Sequence, residues 1–136
     1  MINNRERMKQ ILDFNNLKIN NHTPTDIDFI YEKNNKFWII GEVKTQGSQQ
    51  QVGQEILTNR LLDNLLFCKI PALFIITHHD IHPKEDVDVG NLKISIAEIV
   101  CEKNNLWSKN RYLGDHPYFK TKNINQICND FALKYG

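Results

Sequence analysis

Three side chains able to hold a divalent cation and act on a phosphate ester stand on two neighbouring stretches: Asp28 on the first, Glu42 and Lys44 on the second. The first stretch is Thr25-Asp26-Ile27-Asp28-Phe29-Ile30-Tyr31. The second is Phe37-Trp38-Ile39-Ile40-Gly41-Glu42-Val43-Lys44, and Lys33-Asn34-Asn35-Lys36 lies between them. Carboxylates are hard oxygen ligands, and Mg²⁺ takes one or two of them together with waters and phosphate oxygens. A cation so held polarises a phosphodiester and activates water, while an ammonium beside it orients the nucleophile or offsets developing negative charge. Glu42 and Lys44 are two residues apart, so on a strand they emerge on one face.

The elements that must position these groups follow from the same residues. Both arms are rich in β-branched and aromatic side chains around a short polar turn, which predicts a β-hairpin. The start of one antiparallel strand lies beside the end of the next, so the charged groups converge at one sheet end. Register then decides whether they meet. A two-residue Asn34-Asn35 turn would pair Lys33 with Lys36 and Asp28 with Gly41, setting like charges opposite and Asp28 and Glu42 on opposite faces. An odd loop or a bulge instead pairs Asp28 with Glu42 and Asp26 with Lys44, all on one face. The second register is expected, with asparagine supplying any left-handed residue.

An aspartate followed by Glu-x-Lys on the next strand resembles the signature of the PD-(D/E)xK nuclease superfamily. Thr-Asp-Ile-Asp-Phe-Ile and Ile-Gly-Glu-Val-Lys-Thr are most similar to its Holliday-junction-resolvase-like and small phage-nuclease branches. The likeness is sharp over about Thr25–Gln54 and schematic elsewhere, and Pro24 lies two residues before Asp26 rather than adjoining it. The resemblance implies an α/β single domain spanning 1–136, with a restriction-endonuclease-like α-β-β-β-α-β core. Its mixed central sheet would be flanked by helices, and an extra strand and a C-terminal helix would be added. It also implies a Mg²⁺- or Mn²⁺-dependent DNA endonuclease of phage or bacterial origin, acting in recombination, repair or degradation. Asp28 and Glu42 would hold metal, with Asp26 and Glu6 as supporting ligands; Lys44 would be the catalytic lysine and Gln54 a functional glutamine on the following helix. Relatives that dimerise make a homodimer an expectation by analogy. A catalytically silent interaction or inhibitor module on the same fold, and an RNA-processing nuclease, are the competing readings, because fold alone does not settle function.

Composition bounds the rest. The chain has 136 residues, 40% of them hydrophobic, enough for one core. A formal net charge of +1 does not mark a nucleic-acid binder, so DNA contact must use local patches. Aromatics interleaved with Lys109, Arg111, Lys120 and Lys122 nominate one such patch. Cys68, Cys101 and Cys128 are far apart and form no Cys-x-x-Cys, which points to reduced, mostly buried thiols in a cytoplasmic protein; the resemblance adds that the cell would be a bacterium or a phage-infected host. No apolar run approaches membrane-spanning length, and the first residues lack the apolar core of a signal peptide.

Along the chain, Asn4 to about Phe14 reads as a first helix and Leu17-Lys18-Ile19 as a short strand. Ser48 with Gln51 fits a capping box opening a helix to about Phe67, with Val52, Ile56, Leu57, Leu61, Leu62, Leu65 and Leu66 as its buried face. Gly53 within it suggests close packing or approach to a ligand. Lys69–Thr77 reads as a buried strand returning parallel to the Glu-x-Lys strand by a right-handed crossover. It delivers His78, His79 and His82 to a sheet end, where they read first as loop histidines and secondly as a group that can contact a phosphate or shuttle a proton. Leu92–Cys101 reads as an outer strand, Asn104–Lys122 as irregular, and Asn123–Tyr135 as a closing helix packed through Ile124, Ile127, Cys128, Phe131 and Ala132.

Overall fold

In a computed structural model, residues 13, 15–22, 24–48 and 52–136 are described. The hairpin forms from the expected arms: β1 (Phe29–Lys33) runs antiparallel to β2 (Phe37–Thr45). Its loop is odd. Lys33 pairs with Phe37 and Phe29 with Gly41, so Asn34, Asn35 and Lys36 lie outside the ladder. Asn34 and Asn35 both have positive φ, 49° and 59°, which asparagine tolerates better than other L-residues, and Lys36 is the extra residue that shifts the pairing by one. Continued past Phe29, this register sets Asp28 beside Glu42.

Gly41 pins that register from the opposite face. The ring of Phe29 lies directly over it, and a Cβ built on Gly41 would sit 2.0 Å from Phe29 Cζ. The missing side chain is filled by the cross-strand aromatic, which holds β1 against β2.

From β2 the chain enters α1 (Val52–Phe67) and returns as β3 (Ala72–His79), which pairs parallel with β2. A 3-10 turn at Val89–Asn91 precedes β4 (Ile96–Lys103), and Asn104-Asn105, again at positive φ, turn the chain into β5 (Leu106–Leu113). A one-turn helix α2 (Pro117–Lys120) leads to α3 (Ile124–Tyr135), which opens on an Asn123–Gln126 capping box. The result is an α/β fold with an open five-stranded mixed sheet in the order β1-β2-β3-β4-β5.

Alternation along the strands divides the core in two. Phe37, Ile39, Leu73, Ile75 and Ala97 face α2 and α3 and pack on Phe119, Ile127 and Phe131. Ile40, Ala72, Phe74, Ile76 and Val100 face α1 and pack on Leu62 and Leu65. Glu42 and Lys44 continue the Trp38–Ile40 parity, so they lie on the α1 face.

Several expectations are corrected. Among the described residues Leu17–Ile19 forms no sheet strand; Ile19 bridges only His22 across the left-handed Asn20-Asn21 pair. Among the described residues, two strands rather than three therefore precede α1. The predicted outer strand, β4, is internal, because residues 106–113 of the segment expected to be irregular pair along its free side. The buried positions of α1 are Gln54, Thr58, Leu62 and Leu65, whereas Val52 and Ile56 are exposed. Gly53 is not tightly packed, since a Cβ there would meet only Thr25 Oγ1 at 3.8 Å. Cys68 is exposed rather than buried, and all three cysteines are free. The Asn4–Phe14 helix expectation, Glu6 and the Gln51 half of the capping box lie outside the described residues.

Candidate metal and phosphodiester site

The site is built by the end of β2, the residues entering β1 and the first turns of α1. Glu42 is 2% exposed although it interrupts an apolar strand. Its Oε2 lies 3.8 Å from Lys44 Nζ, and its buried Oε1 has no hydrogen-bond partner. Leaving a buried acceptor unsatisfied costs about 1–3 kcal/mol, so this oxygen is a candidate for something that arrives from outside. Asp28 stands at the open edge of the same end; its Oδ2 accepts from the Val43 amide at 2.6 Å. That bond ties the Asp28 carboxylate to the backbone between Glu42 and Lys44.

Gln54 brings the remaining charges together. Only 7% exposed, its amide accepts from Lys44 Nζ at 2.9 Å and donates to Asp26 Oδ1 at 3.3 Å. Lysine has donors only, so the amide oxygen must face Lys44 and the nitrogen Asp26. One carboxamide thus fixes the ammonium and takes up Asp26. Thr58, one turn on, donates to the Gln54 carbonyl at 2.9 Å.

The carboxyl of Glu42 is raised to about 7 from an ordinary 4.5. Burial is the largest cause and the negative charge of Asp28 the next. Lys44 pulls the other way, while a hydrogen bond that the protonated carboxyl shares with Asp28 and the charge of Asp26 add smaller upward pushes. A cation in contact with Oε1 would reverse this balance by favouring the carboxylate.

Among the described residues no group of three or more His, Cys, Asp or Glu side chains is arranged to hold a metal. Asp26 is turned to Gln54 rather than toward Glu42's free oxygen. The donor set is therefore a pair, Asp28 and Glu42, which fits a cation that completes its shell with water and phosphate oxygens. It does not fit zinc, which wants three or four protein ligands.

The histidines stay out of this centre. Alternation splits the doublet: His78 follows the α1 face and His79 the other. His78 Nε2 donates to the Ser48 carbonyl and Nδ1 bonds Ser95 Oγ, both at 2.8 Å. With both nitrogens engaged, its role is to tie the loop after β2 to the start of β4. His79 and His82 accept from Ile81 and Lys84 amides through Nδ1 in local turns.

The nominated basic patch is divided. Lys109 and Arg111 alternate onto the α1 face of β5, and Lys109 pairs with Asp63 at 2.7 Å. Lys122 lies on the α3 side, paired with Asp130 at 2.7 Å and stacked on Tyr118. Lys120 neighbours it on α2, its carbonyl accepting from Lys93. Only the first two share a face with Glu42. Sequence reasoning missed Thr58, Ser95 and Glu98. Glu98 had a signal: it breaks the apolar series Ile94, Ile96, Val100 at strand spacing, as Glu42 breaks that of β2.

No candidate membrane-crossing helix occurs among the described residues. The sequence matches no protein-family model, and neither the curated proteins nor the solved structures yield a match.

Proposed function

We propose that this chain is a divergent member of the PD-(D/E)xK superfamily, built on a restriction-endonuclease-like core, and a metal-dependent DNA nuclease. The observation that carries the reading is the unsatisfied buried oxygen of Glu42, set beside Asp28 by the hairpin register and flanked by Lys44 on the same face. A purely structural carboxylate there would have both oxygens satisfied or be replaced by an apolar residue; a buried oxygen left without a partner favours a ligand.

A Mg²⁺ or Mn²⁺ ion bound by Asp28 and Glu42 supplies Lewis-acid polarisation of the scissile phosphate. Glu42 contributes the oxygen that has no other partner. Asp28, held through Oδ2 by the Val43 amide, would offer its second oxygen. Lys44 places a fixed positive charge next to them, where it orients the attacking water or stabilises the charge that builds on the phosphoryl oxygens. Gln54 holds Lys44 in that position and keeps Asp26 from competing for it.

The test is calorimetry with Mn²⁺ alongside cleavage of a panel of linear and branched DNAs. Binding by the parent, loss in Glu42→Gln, and cleavage abolished by EDTA and restored by Mg²⁺ or Mn²⁺ are expected. Equal Mn²⁺ binding by Glu42→Gln and the parent would move the metal elsewhere. The small number of carboxylates at the site favours one rival, a silent interaction module on the same fold. Absence of cleavage on every substrate with either metal selects it.

A further inference from the structure

A cavity of about 340 Å³ lies next to the candidate site, on the same face of the sheet, between α1 and strands β3, β4 and β5. Phe74, Ile76 and Ile96 supply its apolar lining, and Arg111, Glu98 and Glu55 line it as well, beside hydroxyl, amide and imidazole side chains. It is continuous with the charged centre through the ladder: Ile76 is the β3 partner of Glu42, and His78 that of Lys44. Adjacent strands are about 4.8 Å apart, so a chain lying with its phosphate at Glu42–Lys44 carries a neighbouring base over the cavity.

The polar groups select the ligand. Two carboxylates against one guanidinium disfavour a phosphate inside, and an apolar lining beside donors and acceptors suits a neutral heterocycle. Glu98 and Arg111 are direct cross-strand partners, yet among the described residues neither side chain makes a hydrogen bond or ion pair. They present an acceptor pair and a donor fork side by side. Guanine matches both at once: its N1–H and N2–H₂ form two parallel donors for one carboxylate, and its O6 and N7 accept from arginine. Adenine and cytosine offer a carboxylate one exocyclic amine beside a bare acceptor. Thymine offers one N–H flanked by two carbonyls.

We propose that this cavity receives an unpaired guanine of the nucleic-acid strand, read by Glu98 on its pairing edge and by Arg111 on its outer edge, with Phe74, Ile76 and Ile96 against the ring. This rests on the nucleic-acid reading above and narrows it to substrates with a guanine free of its partner, because the pairing edge must be open.

The test titrates the full chain, in EDTA, with dGMP, dAMP, dCMP and dTMP. The phosphate is common to all four, so differences report the base. The expected result is dGMP binding at least about tenfold tighter than the others, the discrimination of one good bidentate contact. Glu98→Gln, which keeps shape but offers one acceptor where guanine needs two, removes the preference, and Arg111→Lys weakens it. No dGMP binding, equal binding of all four by the parent, or a preference that survives Glu98→Gln overturns the proposal. Mononucleotides hold no scissile diester and the titration needs no metal, so the two readings fail separately. A guanine preference without cleavage of any DNA keeps the cavity and removes the nuclease; cleavage without a preference keeps the nuclease and removes the guanine site.

Discussion

Glu42→Gln separates a carboxylate kept for function from one kept for stability, because the structure fixes the sign of its effect. The parent carboxyl titrates near 4.5 when unfolded and near 7 when folded. Between those values the folded chain binds more protons than the unfolded one. Stability contributed by the protonated form is therefore complete below 4.5 and is lost as pH rises through about 7. At ~1.4 kcal/mol per tenfold change in proton affinity, the loss has an upper limit of roughly 3 kcal/mol. Asp28 and Asp26 are solvent-exposed, so water screens their share, and ~1–3 kcal/mol is the working range. Glutamine removes the charge, keeps the shape and gives Asp28 an amide donor. Urea unfolding in EDTA should thus find Glu42→Gln more stable than the parent by ~1–3 kcal/mol at about pH 8, and close to it at about pH 4.5. Added Mg²⁺ should close or invert the gap, since a ligand at a hundredfold excess over its Kd stabilises the parent by about 2.7 kcal/mol and the variant by none of it. A variant less stable than the parent at about pH 8 without metal would refute the reasoning, because the carboxylate would then be contributing to the fold.

Lys44→Ala should lower turnover by at least ~100-fold while DNA affinity changes little, and Lys44→Arg should not restore it, since a planar fork cannot take the place of a compact ammonium against Gln54. Single-turnover kinetics at saturating enzyme give the answer, and cutting at the parent rate removes this lysine from the mechanism. Neutralising Lys109 should flatten the slope of log K against log salt by roughly 0.9 for a phosphate that the protein no longer neutralises, and removing the charges of Lys120 and Lys122 should leave it unchanged. The opposite pattern would put the DNA on the α3 face. Gly41→Ala should cost about 1–3 kcal/mol in denaturant unfolding, because its methyl displaces the Phe29 ring; a neutral result means the ring swings aside freely.

The charged centre was legible because its parts are close in sequence and strand parity is strict. Asp28, Glu42 and Lys44 needed only the hairpin and an odd loop, and Asn34-Asn35 carried the left-handed turn that makes one. Gln54 enters through the family resemblance, as the glutamine of the helix after the motif strand, and its side chain accepts from Lys44. The buried face of α1 was misread for the same reason that makes it informative. Hydrophobic counting selects Val52 and Ile56, yet Gln54 and Thr58 face the sheet there because they bond to Lys44, Asp26 and the helix backbone. Strand β5 was illegible because Leu106–Leu113 lies at the sheet edge and has no clean apolar alternation. Asn104-Asn105 was the overlooked cue: among the described residues, asparagine pairs at positive φ turn the chain three times. Such pairs mark hairpins even where the strands do not declare themselves.

The hairpin and the helix that follows it contain the whole charged centre, from Asp26 to Gln54, whereas the neighbouring cavity borrows its far wall from β4 and β5. Under the two proposals above, chemistry belongs to the hairpin and first helix, and selection draws in addition on β4 and β5, which join that unit across β3 and against α1. Drift in residues 96–113 can recast what is recognised while the Asp28–Glu42–Lys44 geometry is left intact, and the edge position of β5 makes that hairpin the cheapest part of the sheet to exchange. A chimera carrying a foreign β4–β5 hairpin should retain Mn²⁺ binding and lose base preference. Loss of both together would mean that the two halves do not vary independently.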